Sequence, residues 1–211
     1  MRRGFGPPGG GRDRIMKTLL INAHLNYPGW SEGKLNHAFM DIARNFFAGR
    51  GQAVTETIIE RGYTAEEEVR KHAEADLVIL QTPVNWFSAP WIYKKYVDEV
   101  FNHALAKEIL LSGDGRTRSD PTRQYGMGGK MQGRKFMISA TWNAPRSAFA
   151  NPGGFLFGGR DRSDLFLHIT SNYKFCGYDI LPDFGIFDIF KDPDFEAAFE
   201  GYKRHLEKHC V

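Results

Sequence analysis

Short apolar runs alternate with segments of helical periodicity along most of this chain, and this alternation restricts the fold more than any other feature. Residues 76–82 begin with a continuous apolar run of strand length, and residues 90–106 then carry apolar side chains at helical spacing. Similar patterns predict strands at 17–23, 53–59, 134–140 and within 178–187, and helices from Ser31 onward, over 65–75, 164–175 and 194–208. Strands alternating with helices in this way predict a parallel sheet with helices on both faces.

Five such strands predict a three-layer α/β fold, with a five-stranded parallel sheet in the flavodoxin-like order 2-1-3-4-5. No GxGxxG sequence follows the first strand, so a dinucleotide-binding Rossmann fold is less favoured. The chain of 211 residues suits one domain, which we place at 16–211. Residues 1–15 are rich in Gly, Pro and Arg and are predicted to be a disordered tail.

Basic charge is concentrated in that tail. Arg2, Arg3, Arg12 and Arg14, set against Asp13, account for the whole net charge of +3. The remaining chain contains 24 basic and 24 acidic residues, so the sequence predicts no basic surface for nucleic acid.

The cysteines and histidines do not form a metal-binding or catalytic pattern. Cys176 and Cys210 have no zinc-type spacing and are predicted to be reduced, which favours a cytoplasmic location. His205 and His209 suit a solvated helix surface better than a metal site. The twin arginines at the start precede no apolar segment, and no run approaches the ~18 apolar residues of a membrane span.

The loops after the first, third and fourth predicted strands should meet at the carboxyl edge of the sheet, where open α/β folds bind ligands. The first loop leads into a helix N-terminus, whose free N–H groups and dipole suit a phosphate. Ser31 either caps this helix or binds the phosphate, and His24 is either a phosphate partner or structural. Lys34 is unfavourable for the dipole unless an anion lies nearby.

The other two loops carry aromatic residues. Trp86 and Phe87 follow the third strand, and Trp142 follows the fourth. These rings either clamp a planar ligand or cap the core. Phosphate at the first loop and a flat ring at the other two would together describe a flavin nucleotide.

Five segments of the chain, taken in order, resemble the flavodoxin-like NAD(P)H:quinone reductases, and most of all the modulator of drug activity B family. The similarity extends from about Lys17 to the C-terminus. The segments are Ser31-Glu32-Gly33-Lys34-Leu35-Asn36, Pro83-Val84-Asn85-Trp86-Phe87-Ser88-Ala89-Pro90-Trp91, Asp114-Gly115-Arg116-Thr117-Arg118, Lys135-Phe136-Met137 and Thr141-Trp142-Asn143-Ala144-Pro145. The chain departs from the family at Asn85-Trp86, where two aromatics commonly stand together, and this difference bears on ring packing and substrate choice. Its first loop also looks long, with Tyr27-Pro28-Gly29-Trp30 extra or altered.

The resemblance implies FAD as cofactor, NADPH as hydride donor and a quinone as acceptor. It implies that residues 31–38 bind the FAD phosphates and that the loops at 83–86 and 141–144 hold the isoalloxazine. It also implies a homodimer in which Tyr125, from the irregular segment 107–133, reaches the flavin site of the partner subunit. Trp91, Tyr93 and Tyr96 look exposed on the helix after the flavin loop, as such an interface requires.

The predicted site has one catalytic residue, Tyr125, and no metal ligand. The predicted cofactor-binding residues are His24, Ser31, Gly33, Lys34, Leu35, Asn36, Ala38, Pro83, Val84, Asn85, Trp86, Phe87, Tyr125, Thr141, Trp142, Asn143 and Ala144.

The leading functional hypothesis is a two-electron reductase that passes hydride from NADPH to the flavin N5 and then to a quinone. An FMN-dependent reductase of azo or nitro compounds on the same fold is the runner-up. A flavodoxin-like electron carrier is less favoured, because the domain is neutral rather than strongly acidic. A redox-silent binding module is the remaining alternative.

Overall fold

The computed structural model describes residues 15–191 and 193–211. The predicted tail at 1–15 lies outside the described residues except for Ile15. The described chain forms one parallel sheet with helices on both faces.

The sheet has the predicted order, β2-β1-β3-β4-β5, and every strand pair is parallel. The strands are β1 (Lys17–Asn22), β2 (Ala53–Ile58), β3 (Leu77–Pro83), β4 (Lys135–Thr141), β5 (Asp179–Ile180) and β6 (Phe184–Ile186). The predicted fifth strand is divided, since β5 and β6 both pair with β4 on either side of Pro182. Proline has no N–H to donate to the ladder, which explains an interruption at this edge.

The helices also follow the prediction, with one exception. They are α1 (Lys34–Ala48), α2 (Ala65–Glu74), α3 (Trp91–Ala106), α4 (Arg162–Leu165), α5 (Leu167–Cys176) and α6 (Phe195–His209). The single helix predicted at 164–175 is wrong, because Phe166 departs from helical geometry between α4 and α5. The ring of Phe166 is buried and lies 5.2 Å from that of Trp142, so tertiary packing determines the break.

Two apolar cores separate the layers. Helices α1 and α6 cover one face of the sheet, where Phe39, Phe47 and Leu206 are buried. Helices α2, α3 and α5 cover the other face. The expected exposure of Tyr93 and Tyr96 is wrong: both belong to this second core, and only Trp91 is exposed.

A buried hydrogen-bond network explains why a polar ring such as Tyr96 is tolerated there. The Tyr96 hydroxyl donates to Glu68 Oε2 at 2.7 Å, and Glu68 also accepts from Thr57 Oγ1 and Lys71 Nζ. A buried carboxylate is stable only with such partners. The network therefore fixes α2 against β2 and α3.

Residues 107–133 form no helix or strand, as predicted, yet they are compact. The backbones at Gly115 and Gly128 touch, since a Cβ at Gly115 would lie 2.4 Å from the Gly128 nitrogen. Ser112 N–H donates to Gly128 O at 2.9 Å, and Met131 N–H donates to Cys176 O at 2.9 Å. This segment, which we call the insert, is therefore held against the end of α5.

Cys176 and Cys210 are buried and do not pair with each other. Burial raises the pKa of each thiol to about 12. Within residues 15–191 and 193–211, no helix combines the length and the hydrophobicity needed to cross a bilayer.

Candidate functional site

A cleft of about 470 Å³ lies at the carboxyl ends of β1, β3, β4 and β6. Its lining residues are Trp30, Ser31, Pro83, Val84, Asn85, Trp86, Phe87, Thr141, Trp142, Asn143, Ala144, Ile189 and Phe190. The structure thus brings ten predicted site residues together, from all three predicted loops. Among the described lining residues, no side chain is an acid, a base, a thiol or a phenol, so this wall consists of aromatic rings, aliphatic side chains, amides and hydroxyl groups.

The first loop is closed by a tight turn. Tyr27 N–H donates to Ser31 O at 2.9 Å and Ser31 N–H donates to Tyr27 O at 2.8 Å, with Gly29 at φ 74° inside the turn. Pro28 and Gly29 are the residues that such a turn favours at its two central positions. The turn places Trp30, which is 60% exposed, on the rim of the cleft.

Helix α1 begins beside this turn without a side-chain cap. Gly33 is its N-cap in a left-handed conformation, no side chain accepts a hydrogen bond there, and the first turn contains no acidic residue. The helix therefore presents free N–H groups and the positive end of its dipole toward the loop. Ser31 does not cap the helix, so the capping alternative for Ser31 is excluded.

The imidazole of His24 lies directly beneath this helix start. It is buried, and its Nε2 is 3.1 Å from Ser31 O and 3.3 Å from Ser31 Oγ. Its Nδ1 is 3.7 Å from a carboxylate oxygen of Glu60. Burial is the largest influence and lowers the pKa of His24, although Ser31 O and Glu60 oppose it. His24 thus supports the loop from below and does not line the cleft.

The remaining predicted residues of the first loop surround the helix start. Lys34 is exposed and pairs with Glu32 at 2.8 Å; this hydrogen bond lowers the pKa of Glu32 and raises that of Lys34. Asn36 is buried and accepts from Gln81 Nε2 at 2.9 Å. Leu35 and Ala38 are half-buried.

The loop after β3 is a strained turn. Asn85 N–H donates to Ser88 O at 2.8 Å and Ser88 N–H donates to Asn85 O at 3.2 Å, while Trp86 and Phe87 have φ values of 49° and 70°. Consecutive left-handed residues form a type I′ turn, which usually contains Asn and Gly. Each bulky residue held there costs roughly 1–2 kcal/mol. The turn holds the side chain of Trp86 in solvent, where it is 90% exposed.

The loop after β4 contributes backbone groups and a hydroxyl. Asn143 and Ala144 line the cleft, and their N–H groups donate no hydrogen bond to any described residue. Thr141 Oγ1 and Trp142 Nε1 are buried and have no hydrogen-bond partner among the described residues. Buried polar atoms are normally paired, so these atoms suit a polar partner from a ligand.

The expectation that the Trp142 ring face clamps a ligand is not supported. The ring packs at 5.0 Å from that of Phe149 and at 5.2 Å from that of Phe166, and it is 1% exposed. Trp142 therefore anchors the loop in the core, whereas its neighbours face the cleft.

Sequence reasoning missed three lining residues, Trp30, Ile189 and Phe190. Ile189 and Phe190 follow β6, and Ile189 N–H donates to Trp142 O at 3.2 Å. The rule that ligands bind at the carboxyl ends of strands would have found them if it had been applied to the last strand as well.

Tyr125 lies apart from the cleft of its own chain. It is 70% exposed, its ring is 5.2 Å from that of Phe175, and the Arg116 guanidinium lies 5.5 Å from its centroid. It borders a groove between the insert, α3 and α5. Tyr125 is not among the residues that line the cleft of its own chain.

The described residues contain no group of three His, Cys, Asp or Glu side chains that could hold a metal ion. What the site offers is an uncapped helix start beside a cleft with exposed rings, free amides and unpaired buried polar atoms. These features fit a flat ligand that also carries phosphate. Fold and site together define a flavodoxin-like α/β protein with its ligand cleft at the carboxyl edge of the sheet.

Comparisons with known proteins give the family. Residues 16–210 match the sequence profile of a family described as having a flavodoxin-like fold. The chain is 41% identical over 193 residues to the NADPH:quinone oxidoreductase MdaB of Haemophilus influenzae, covering 92% of this chain and 98% of that protein. The chain therefore belongs to the flavodoxin-like family that includes MdaB, and the resemblance read from the motifs is confirmed.

Solved structures share the fold at lower identity. A proposed quinone reductase of Klebsiella pneumoniae has a TM-score of 0.71 at 21% identity, covering 92% of this chain and 83% of its own. General stress protein 14 of Treponema denticola, in complex with FMN, has a TM-score of 0.58 at 17% identity, covering 92% and 94%. At these identities the likeness shows the fold alone.

Proposed function

We propose that this protein reduces quinones by two electrons, with NADPH as donor and FAD as bound cofactor. The observation that carries the proposal is the cleft itself, where exposed rings and unpaired amides lie next to an uncapped helix start. The name of the Haemophilus influenzae relative, NADPH:quinone oxidoreductase, supports the same activity.

The residues divide into two binding regions. The first turn of α1, with Ser31, Gly33 and Lys34, would hold the FAD phosphates, because it presents free N–H groups and no acidic residue. The loops at 83–87 and 141–144 would hold the isoalloxazine. When bound, the flavin supplies the chemistry of accepting and donating a hydride.

The chain's own contribution is positioning and charge stabilisation. The N–H groups of Asn143 and Ala144 would stabilise negative charge on the bound ring, since they have no other acceptor among the described residues. Among the described lining residues of the cleft, no side chain is ionisable. Our candidate catalytic residue is therefore Tyr125 of the partner subunit, whose hydroxyl would orient the quinone oxygen.

A homodimer with shared sites is part of the proposal. Trp86, Trp91, Phe155 and Leu156 are all exposed large apolar residues near or following the cleft loops, and Phe155 has an exposure of 103%. Exposed apolar side chains that lie together mark interaction surfaces, so these four residues are our candidates for the dimer interface. We also propose a cytoplasmic location, which the two unpaired cysteines support.

The competing assignment is an FMN-dependent reductase of azo or nitro compounds. Heat release of the cofactor from the purified protein, followed by mass measurement, separates the two: the mass of FAD is expected, and the mass of FMN would overturn that part of the proposal. NADPH oxidation that depends on added menadione is the expected activity, and no menadione-dependent oxidation would exclude quinone reduction.

The phosphate site is tested by Ser31→Asp. A carboxylate at this helix start would repel the flavin phosphates, so we expect weaker flavin binding by about tenfold or more with little change in stability. Ser163→Asp, at the exposed start of α4 and outside the cleft lining, is the matched control and should bind flavin normally. Unchanged flavin affinity in Ser31→Asp would place the phosphates elsewhere.

A further inference from the structure

A side-chain hydrogen bond joins the strained turn after β3 to the first turn of α5. Ser88 Oγ and His168 Nε2 lie 2.7 Å apart. Neither residue lines the cleft, and neither belongs to the predicted site. The bond therefore acts on the cleft only through the turn to which Ser88 belongs.

Ser88 closes that turn. It exchanges both backbone hydrogen bonds with Asn85, and the two residues between them, Trp86 and Phe87, are in the left-handed region. Bulky residues leave this region readily unless their surroundings hold them there. Two contacts with the rest of the chain hold the turn. The ring of Phe87 lies edge-on to that of Phe157 at 5.9 Å, and Ser88 is hydrogen-bonded to His168.

The conformation of this turn sets the shape of one wall of the cleft. Trp86 projects 90% of its surface, and Trp30 stands on the rim with 60% of its surface exposed. Aromatic rings line much of the cleft, so ring contacts and the width of the opening contribute to discrimination between planar molecules. A small change in the turn would alter both.

We propose that Ser88 and His168 are a positioning pair that holds the Trp86–Phe87 turn in its left-handed conformation and so determines which planar acceptors the cleft takes. Neither residue touches the reacting atoms. The statement about acceptors rests on the proposed function, whereas the statement about the turn does not.

The first measurement concerns the turn itself. The backbone amide signals of Trp86 and Phe87 and the indole N–H signal of Trp86 are followed by NMR in the purified protein with its cofactor. We expect single narrow signals in the parent protein and in Ser88→Thr, which keeps the hydroxyl. Ser88→Ala and His168→Leu should broaden or double these signals. Ser171→Ala, exposed on the same helix as His168, is the control and should leave them unchanged.

The second measurement concerns selectivity. The ratio of kcat/KM for menadione, with two fused rings, to that for 1,4-benzoquinone, with one, is compared across the same variants. The net value of one hydrogen bond corresponds to a change of about two- to tenfold, which is the expected shift of the ratio in Ser88→Ala and His168→Leu. Flavin content should not change, and Ser88→Thr should restore the parent ratio.

The outcomes separate the two statements. Unchanged turn signals in both Ser88→Ala and His168→Leu overturn the positioning role. Altered signals with an unchanged ratio overturn the link to acceptor choice. If the parent protein reduces no quinone, the proposed function fails, but the NMR comparison still decides the role of the pair.

Discussion

Any side chain at position 33 would collide with the ring of His24, so this position requires glycine. Its φ is +78°, and a Cβ there would lie 2.6 Å from Nδ1 of the buried His24 ring. We predict that Gly33→Ala destabilises the protein by about 3 kcal/mol or more and lowers flavin occupancy, because strain and overlap add. Urea unfolding and flavin titration measure the two effects.

Gly29→Ala is the matched control for this prediction. Gly29 has a similar φ, +74°, but nothing lies within 4 Å of the added Cβ. Its expected cost is the backbone strain alone, about 1–2 kcal/mol. Equal losses in the two variants would show that His24 moves aside freely and does not define the helix start.

Histidines that are wholly or partly buried make the free energy of unfolding depend on pH. Burial lowers the pKa of His24, His72 and His205 below the ordinary value of 6.5. The unfolded chain therefore takes up protons at a higher pH than the folded chain. The stabilisation that comes from keeping these histidines uncharged is fully present above pH 6.5. It is lost as the pH falls from 6.5 toward their lower pKa values in the folded protein.

We predict that the free energy of unfolding decreases steadily between about pH 7 and pH 5.5, as measured by urea titration. His72→Gln should flatten this dependence, because His72 is completely buried between Glu68 O and the Tyr173 hydroxyl. Asn102→Gln, at an exposed position of α3, changes no titratable group and should keep the parent slope. A stability that rises as the pH falls through this range would contradict the assignment.

Individual side chains were the least predictable part of the site. Residue type and position placed Ser31, Trp86 and Asn143 at the cleft correctly, because strand ends fix where a loop begins. The orientation of a ring depends on neighbours that are distant in sequence. The Trp142 ring was therefore expected to clamp a ligand, but it packs on Phe149 and Phe166.

At the scale of elements, the sequence predicted the sheet order and most helices, because buried parallel strands are continuous apolar runs. The spacing of apolar residues predicted that α3 is a helix, but not which of its sides faces the core. Trp91 is exposed, whereas Tyr93 and Tyr96 are buried in the core. The division of α4 from α5 and the split fifth strand depend on tertiary contacts of Phe166 and on Pro182. The prediction also missed the cleft residues Ile189 and Phe190, which follow β6 at the same edge of the sheet.

The segment 150–160 links two of the cleft loops. Its ends are joined by a hydrogen bond from Ala150 N–H to Arg160 O at 2.9 Å. Phe157 is buried, stacks on Phe149 at 4.7 Å and contacts Phe87 at 5.9 Å. Phe87 belongs to the loop after β3, and Phe149 packs on Trp142 of the loop after β4.

We predict that Phe157→Ala destabilises the protein by about 3–4 kcal/mol and weakens flavin binding, because a buried ring between two loops is lost. Phe155→Ala is the control in the same segment: Phe155 is fully exposed, so it should change the stability of the subunit by less than about 0.5 kcal/mol. Thermal unfolding and flavin titration test the pair. Similar losses from both substitutions would mean that Phe157 is not the anchor of the segment.

At the scale of the whole molecule, the chain carries a cleft whose described lining residues are not ionisable and, elsewhere, an exposed Tyr125 on a compact insert. In the proposed two-fold dimer, one subunit's insert would complete the cleft of the other, which would produce two equal sites. The structure also indicates where the insert can be removed, since the backbones of Gly115 and Gly128 are already in contact. Joining these two glycines deletes 116–127 while leaving the flanking contacts in place.

The last prediction is functional complementation between two variants with defective sites: the deletion of 116–127 and Ser31→Asp, assayed at a flavin concentration too low to fill the weakened site. In a mixed dimer with shared sites, one site combines the normal flavin loop of one subunit with the normal insert of the other. After complete subunit exchange of an equal mixture, half of the dimers are mixed and half of their sites are intact, so activity should return to about a quarter of the parent value. Exchange is verified with differently tagged chains, and each variant is assayed separately as the control. If the insert acts within its own chain, every site in every dimer retains one defect, and no activity returns despite proven exchange.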